Sequence, residues 1–193
     1  RDTVIYPKFN RDKCIGCGRC MISCSDGGHQ AITLGEDRRP KLNGERLTVL
    51  TNGGGAGVLA VDELHDAGGI LAKLEPETKA KLDAVLPHGW SGANPVDIIG
   101  DAGPDRYRVA LDVLLEDKSA DAILVIQCPT ALADPLANAQ AVMSEYNAQK
   151  RDGTLVKPLL TCWLGEGSAH ASRALFDAAL AAAVTGSPRA LVH

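Results

Sequence analysis

Beyond residue 45 the apolar positions alternate between short continuous runs and helical stripes. Leu47-Thr-Val-Leu-Thr51 reads as a buried strand, Gly53-Gly-Gly-Ala-Gly57 as a tight loop, and Val58 to Asp66 as a helix stopped by Gly68-Gly69. The unit then repeats, with Ile70-Leu-Ala-Lys-Leu74 as a strand and Pro76 to Leu86 as a helix with proline in its first turn. A long loop follows from Pro87 to Gly103, and Pro104 opens a helix whose Tyr107, Leu111, Leu114 and Leu115 fall on one face. Asp121-Ala-Ile-Leu-Val-Ile126 is a continuous apolar run suited to the centre of a parallel sheet. Asp134-Pro135 starts a helix carrying Leu136, Ala139, Met143 and Tyr146 at helical spacing, a stripe that core packing explains. Leu159-Leu-Thr-Cys162 reads as a fourth strand and Ser168 to Ala179 as a helix. The pattern predicts an α/β fold, a mostly parallel sheet with helices on both faces.

Residues 1–45 read differently, and a domain boundary is placed at Glu45-Arg46, leaving 46–193 as the second piece. Thr3-Val-Ile-Tyr6 and Ala31-Ile-Thr-Leu34 are short β-prone runs, the second followed by a charged turn and Pro40-Lys-Leu42. Between them lies Cys14-Ile-Gly-Cys17-Gly-Arg-Cys20-Met-Ile-Ser-Cys24, four of the chain's six cysteines in eleven residues. Packing or disulfide pairing is the plainer use of cysteine. Thiolates separated by two, two and three residues on a glycine-punctuated loop instead suit one small inorganic core, the run that ligates iron–sulfur clusters. A segment this small buries too little apolar surface to offset its ordering entropy, so a bound cluster supplies much of its folding free energy. His29 lies close to this loop, where a polar turn residue is the simpler reading than a ligand.

Composition narrows the picture. The chain has 193 residues, 45% of them hydrophobic, enough for one ordinary domain and a small appendage. No apolar run approaches the roughly 20 residues of a membrane span and no signal-peptide pattern opens the sequence, so a soluble, cytosolic protein is expected, as free thiolates also require. The chain opens on Arg1, the expectation for a fragment or a processed product. Net charge is -4, which provides no basic footprint for nucleic acid. Eight basic and six acidic residues lie up to Glu45, against twelve and eighteen beyond it, weak support for two separate pieces.

In parallel sheets ligands gather at the carboxyl ends of the strands. Four stretches are expected there: Asn52 to Gly57, the neighbourhood of Glu75, Cys128-Pro-Thr130, and Cys162 to Gly167. The glycine loop offers backbone N–H groups at a helix N-terminus, a site for phosphate or carboxylate, although a purely structural turn is the alternative. Val58 stands where a dinucleotide fingerprint starting at Gly53 needs Gly or Ala, and no Lys-Ser/Thr pair makes a P-loop. Glu75, after the second strand, keeps a nicotinamide reading open as a contact to a ribose hydroxyl. Cys128 and Cys162 both end strands on this edge, and packing is favoured over a redox pair. His65, His88, His170 and His193 read as surface or helix histidines.

Two resemblances sharpen this. Tyr6-Pro-Lys-Phe-Asn, the cysteine run and Ser25-Asp-Gly-Gly-His-Gln-Ala-Ile32 closely resemble the first half of the two-cluster ferredoxin domain of dihydropyrimidine dehydrogenase, over residues 4 to about 45. The resemblance implies a [4Fe-4S] cluster on Cys14, Cys17, Cys20 and Cys24, and electron transfer with a flavoprotein partner. In two-cluster ferredoxins the fourth cysteine of each run ligates the other cluster, and no second run follows Asn43-Gly-Glu45. Either Cys24 closes a single cluster, or two chains exchange Cys24 across a homodimer, or the cluster is incomplete.

Arg46 through Leu64, then Asn94-Pro-Val-Asp-Ile-Ile-Gly-Asp101, Pro104-Asp-Arg-Tyr, Val125-Ile-Gln-Cys-Pro-Thr and Trp163-Leu-Gly-Glu-Gly look like the second flavodoxin-like domain of the NDP-forming acyl-CoA synthetases, the succinyl-CoA synthetase family. The match runs from 46 to about 177; the Phe176-Asp-Ala-Ala-Leu stretch lacks the family's Gly-Ile-Pro turn and following strand. The family converts acyl-CoA to acid and CoA, passing phosphate through a histidine to a nucleotide, or the reverse. By that resemblance Gly53, Gly54, Gly55, Asn94, Asp97, Pro129 and Thr130 are the candidates for handling phosphate or a CoA ester. The phosphohistidine loop, the CoA-binding part and the ATP-grasp part are expected on partner domains or subunits, so this chain alone should not complete the ligase reaction. The rival is a ferredoxin-type electron-transfer protein with the α/β domain as a docking module, and a third reading is a truncated or chimeric fragment without function.

Overall fold

The structure is a computed structural model that describes residues 32–34, 40–42, 46–151 and 157–185. The chain divides into two compact units, Arg1–Asn43 and Gly44–His193. In the first, β1 (Ile32–Leu34) and β2 (Pro40–Leu42) pair antiparallel, with Ile32 opposite Leu42 and Leu34 opposite Pro40. Pro40 sits at the first position of its strand, where a missing N–H is tolerated. Residues 3–6, the cysteine run and His29 lie outside the described residues.

The second unit runs β3 (Arg46–Thr51), α1 (Gly54–Asp66), β4 (Ile70–Leu71), α2 (Pro76–Val85), β5 (Val96–Asp97), α3 (Pro104–Glu116), β6 (Ala122–Gln127), α4 (Pro135–Arg151), β7 (Leu159–Trp163) and α5 (Glu166–Thr185). All its strand pairs are parallel, in the order β4-β3-β6-β7. β4 pairs with Arg46 and Leu47, and β5 with Leu50 and Thr51. The two short strands therefore lie end to end along one side of β3, with β6 on the other.

β3 and β6 are central because both are nearly continuous apolar runs whose two faces can be buried at once. Leu50, Ile123, Val125 and Trp163 share one core with Leu82 of α2, Tyr107, Leu111 and Leu114 of α3, Val142 of α4 and Ala169 of α5. Each fully buried leucine there contributes about 2 kcal/mol relative to exposure. α1 covers the opposite face, where Gly57 lies so close to Thr51 and Pro95 that a Cβ would meet them at 3.0 and 3.2 Å. On α4 the buried positions are Asn138, Ala139 and Val142, whereas Leu136, Met143 and Tyr146 are half-buried. The helix is wedged between α3 and α5, so its covered surface is wider than the predicted stripe.

Several expectations are corrected. α1 begins at Gly54 rather than Val58, because the glycine run forms its N-cap and first turn. The strand expected over 70–74 ends at Leu71. The Ala72 N–H still bonds Leu47 O, but the Ala72 carbonyl accepts from the Asn94 side chain, and the chain then leaves the sheet. β5 resumes that edge inside what the sequence presents as one long loop. The last helix extends from Glu166 to Thr185, past both predicted ends.

Glu75 is not on the carboxyl edge. Its strand pairs only with the start of β3, and the Glu75 N–H donates to Asp117 at 3.4 Å, in the turn that leads into β6. It belongs to the opposite, amino edge, where Arg46 pairs with Asp121 and Lys157 donates to the Leu114 and Leu115 carbonyls at 3.0 and 2.6 Å. Burial pulls the Lys157 ammonium below the ordinary lysine value, against the pull of the surrounding acids. With Glu75 on the far edge from the glycine turn, the ribose contact required by a nicotinamide reading is lost.

Candidate functional site at the carboxyl edge

Four loops leave the carboxyl ends of β3, β5, β6 and β7 and lock together through short-range contacts. Asn52, 2% exposed, clasps the first and third: its Oδ1 accepts from Cys128 N at 2.6 Å and its Nδ2 donates to Cys128 O at 3.0 Å. Gly53 N donates to Thr51 Oγ1 at 3.0 Å, which closes the turn into α1. Thr130 Oγ1 donates to Gly100 O at 2.8 Å, joining the β6 loop to the β5 loop. Gly165, at φ +88°, lets Pro129 approach, since a Cβ there would lie 3.3 Å from the proline ring.

The glycines are small for a reason that geometry states directly. A Cβ on Gly53 would stand 2.5 Å from Cys128 Sγ, and one on Gly54 would stand 2.7 Å from Asp97 Oδ2. Gly55 faces open space. The first-turn N–H groups of α1 have no intrahelical partner, and the cap residue Gly53 has no side chain to satisfy them. The other helices starting near this edge are different. Asp134 Oδ1 caps α4 by accepting from Leu136 N at 2.9 Å and Ala137 N at 3.2 Å, and α3 and α5 carry Asp105 and Glu166 in their first turns. α1 alone presents neither a capping side chain nor a first-turn acid of its own, and the carboxylate beside its first turn is that of Asp97 from β5.

Beneath the rim, Tyr107 is fully buried and donates its hydroxyl to Ile126 O at 3.0 Å; burial pushes its phenol far above the ordinary tyrosine value. Burial also raises the Cys128 thiol, with hydrogen bonding to Thr51 acting the other way and the nearby Cys162 and Asp97 adding to the rise. A raised thiol pKa leaves little thiolate at neutral pH, which suits packing against Gly53 rather than nucleophilic chemistry. Cys128 and Cys162 are both free thiols.

Residues 47–192 match the Ligase-CoA domain family, which is three quarters of the chain. The chain belongs to that family. Residues 6–32 match the 4Fe-4S binding domain family. The Ligase-CoA domain is similar to the alpha subunit of acetate–CoA ligase (ADP-forming) I of Pyrococcus furiosus, 33% identical over 144 residues, which cover 70% of this chain and 30% of that subunit. The amino-terminal part is similar to the PreA subunit of NAD-dependent dihydropyrimidine dehydrogenase of Escherichia coli, 59% identical over 39 residues, covering 20% of this chain and 10% of PreA. Among solved structures, the dinucleotide-forming acetyl-coenzyme A synthetase 1 of Candidatus Korarchaeum cryptofilum, in complex with phosphate and ADP, superposes with a TM-score of 0.61 at 29% identity, covering 86% of this chain and 35% of that one. The chain thus spans about a third or less of these relatives.

Within the Ligase-CoA domain the structure brings together Gly53, Gly54, Asp97, Pro129 and Thr130, with Gly55 beside them on the outer turn. Asn94 stands apart. Its amide is used up inside the sheet, accepting from Val49 N at 2.9 Å and donating to Leu47 O and Ala72 O at 3.0 and 2.8 Å. It fills the gap between β4 and β5 as a surrogate strand residue. Asn52, expected on this edge as the start of the glycine stretch, and Ile99 are not among the candidate phosphate-handling residues of the sequence. Asn52 directly follows a strand, a position from which a polar side chain can bridge loops, whereas nothing in the pattern marks Ile99, at φ +71° the single non-glycine residue with positive φ among the described residues. His65, His88 and His170 are exposed, and His193 lies outside the described residues. Among the described residues no three His, Cys, Asp or Glu side chains gather as a metal site, and no helix is long and apolar enough to cross a membrane.

The contact between Gly53 and Cys128 is testable. Gly53→Ala is expected to destabilise the chain by about 1–3 kcal/mol, because the thiol must leave its packed position. Adding Cys128→Ala should restore at least half of that loss in denaturant titrations. Strictly additive single and double mutants would show that the two residues do not press on each other.

Proposed function

We propose that residues 46–193 act as the phosphate- or CoA-ester-handling module of an NDP-forming acyl-CoA synthetase system, with partner domains or subunits supplying the phosphohistidine, the CoA-binding part and the ATP-grasp part. The observation that carries this is the uncapped, acid-free first turn of α1 at a rim where three other strand ends converge. Unpaired N–H groups and the helix dipole oriented toward one point suit a doubly charged phosphoryl group, and they require no reorganisation to receive it. The similar Korarchaeum synthetase was captured with phosphate, which supports the same ligand class here. Four thiolates at ferredoxin spacing in 6–32 fit a [4Fe-4S] cluster, whose chemistry when bound is one-electron transfer.

Inorganic phosphate is expected to raise the thermal midpoint of the full chain. At ten times its dissociation constant the gain is about 1.4 kcal/mol, or roughly 3–6 °C for a chain this size. Gly55→Asp places a carboxylate in open space at the same turn, so it should leave the fold intact and remove the phosphate-induced shift. An unchanged shift in Gly55→Asp would move the anion site elsewhere.

A second reading rests on the 59% identity to PreA. In it the cluster is the working part, exchanging electrons with a flavoprotein, and the Ligase-CoA domain serves as its docking module. Reduction of a reconstituted cluster by a flavoprotein at a rate independent of phosphate and CoA would favour this second reading.

A further inference from the structure

The amino edge of the sheet, opposite the α1 turn, holds a cavity of about 250 Å³ between the first turn of α2 and the last turn of α3. Glu75, Thr78, Val113 and Lys118 line it, together with Glu77, Lys81 and Glu116. Part of this lining is already paired. Lys81 Nζ donates to Glu116 Oε2 at 2.9 Å and lies 3.4 Å from Glu77 Oε1, which draws both carboxylates to one ammonium. Nearby, Arg46 is bound to Asp121, and Lys157 to the Leu114 and Leu115 carbonyls.

The groups left over are specific. The Glu75 carboxylate and the Lys118 ammonium make no hydrogen bond or ion pair among the described residues. Thr78 is 5% exposed, yet its hydroxyl has no hydrogen-bond partner among the described residues, and the residue lines the cavity. Side chains buried to that extent normally have their polar atoms satisfied, so an unpaired hydroxyl at a cavity wall marks a position for a ligand atom. The backbone adds two donors. Pro76 carries no N–H, and Lys79 N is the first to bond back, to Glu75 O at 2.9 Å. The N–H groups of Glu77 and Thr78 therefore have no partner within α2, and no side chain caps this end. Asp117, 1% exposed, ties the turn from below, accepting from Glu75 N at 3.4 Å and from Ser119 N at 2.6 Å.

We propose that this cavity binds a small zwitterionic amino acid with an apolar side chain. The ligand carboxylate takes the Thr78 hydroxyl and the free N–H groups of α2, with Lys118 adding positive charge. The ligand ammonium takes Glu75, and its side chain lies against Val113. Charge balance selects a zwitterion over a simple ion. The lining sets three carboxylates against two ammoniums, so a bare anion meets Glu75, and a bare cation meets Lys118 and the positive end of α2. A ligand carrying both charges satisfies each group without leaving the other unpaired. Because the cavity lies on the far edge from the α1 turn, binding here does not depend on the anion site proposed above.

Calorimetric titration and thermal unfolding of the full chain with L-leucine, isocaproate and isoamylamine at equal ionic strength test this. The last two are leucine without its ammonium and leucine without its carboxylate. L-Leucine should raise the midpoint and bind at least about tenfold more tightly than either. Thr78→Val keeps the side-chain shape and removes the hydroxyl, so it should weaken leucine by about tenfold, and Thr78→Ser should retain most of the affinity. Glu75→Gln should narrow the gap between leucine and isocaproate to about threefold or less, because the ammonium loses its charged acceptor. Both Thr78→Val and Glu75→Gln preserve side-chain volume, so unliganded midpoints should stay near wild type and the phosphate response should be unchanged. No response to leucine, isocaproate or isoamylamine binding as tightly as leucine, or full leucine affinity in Thr78→Val would each overturn the proposal while leaving the α1 site standing.

Discussion

Asn94→Ala lowers the thermal midpoint by roughly 5–15 °C, the expected result of removing one amide that makes three backbone hydrogen bonds. The Asn94 amide accepts from Val49 and donates to Leu47 and Ala72, so truncation leaves the Val49 N–H and the Ala72 carbonyl without partners and leaves Leu47 O with the Ala72 N–H alone. At about 1–2 kcal/mol for each of these two orphaned groups the sum is about 2–4 kcal/mol. Asn94→Asp is the sharper variant. It keeps the acceptor for Val49 N but sets a carboxylate against two carbonyls, and is expected to be no more stable than the alanine variant. Thermal unfolding measures the loss, and hydrogen exchange locates it, with faster exchange expected at Val49 and Ala72 and little change at the buried centre of β6. A midpoint within about 2 °C of wild type would mean that the β4–β5 gap is held by other groups. Because Asp97 lies three residues along the same segment, Asn94→Ala should also loosen the rim and weaken the phosphate response.

Anaerobic reconstitution of the full chain is expected to incorporate about four irons and four sulfides per chain, with optical and spin-resonance spectra of a cubane cluster. Cys14→Ser, Cys17→Ser and Cys20→Ser should each abolish or cripple incorporation, because a small segment without its metal has little other source of stability. Cys24→Ser decides the architecture. In a paired ferredoxin this position serves the neighbouring cluster, yet no second run of cysteines is present here. The expected outcome is that Cys24→Ser destroys the cubane signal in a monomer, as required if Cys24 closes its own cluster. Loss that instead tracks dimerisation would show two chains completing each other. Fewer than about three irons per wild-type chain, with no cubane spectrum, would rule out the electron-transfer reading altogether. The effect is close to all-or-none, which makes it the most decisive measurement on the first unit.

The long strands were legible because central parallel strands are buried on both faces and appear as uninterrupted apolar runs, as in Leu47–Thr51 and Ala122–Gln127. Helices α2 and α3 were legible from proline in the first turn and a one-sided stripe. β5 was not, since two residues carry no period, and they form a strand only because β3 has an unpaired edge there and Asn94 seals the gap. Glu75 was misplaced for a related reason. The run Ile70–Leu74 looks like one strand, but nothing local reports that the Ala72 carbonyl is taken by a side chain twenty-two residues away.

By itself the sequence determined the chemistry that is local in the chain. Four cysteines in eleven residues define a ligand set without reference to a fold, and three consecutive glycines at a strand-to-helix junction define an uncapped helix end. Only the tertiary structure decided what faces that helix end. Gly54, Asp97, Cys128 and Gly165 come from four different strand ends, and parallel pairing in a fixed register is what brings them to one rim. The Asp97 carboxylate accepts from Ile99 N, and Ile99 holds a positive φ in a segment tied by hydrogen bonds to β3, α3 and the β6 loop. Such an angle runs against the residue's own preference, so no local pattern could have announced it.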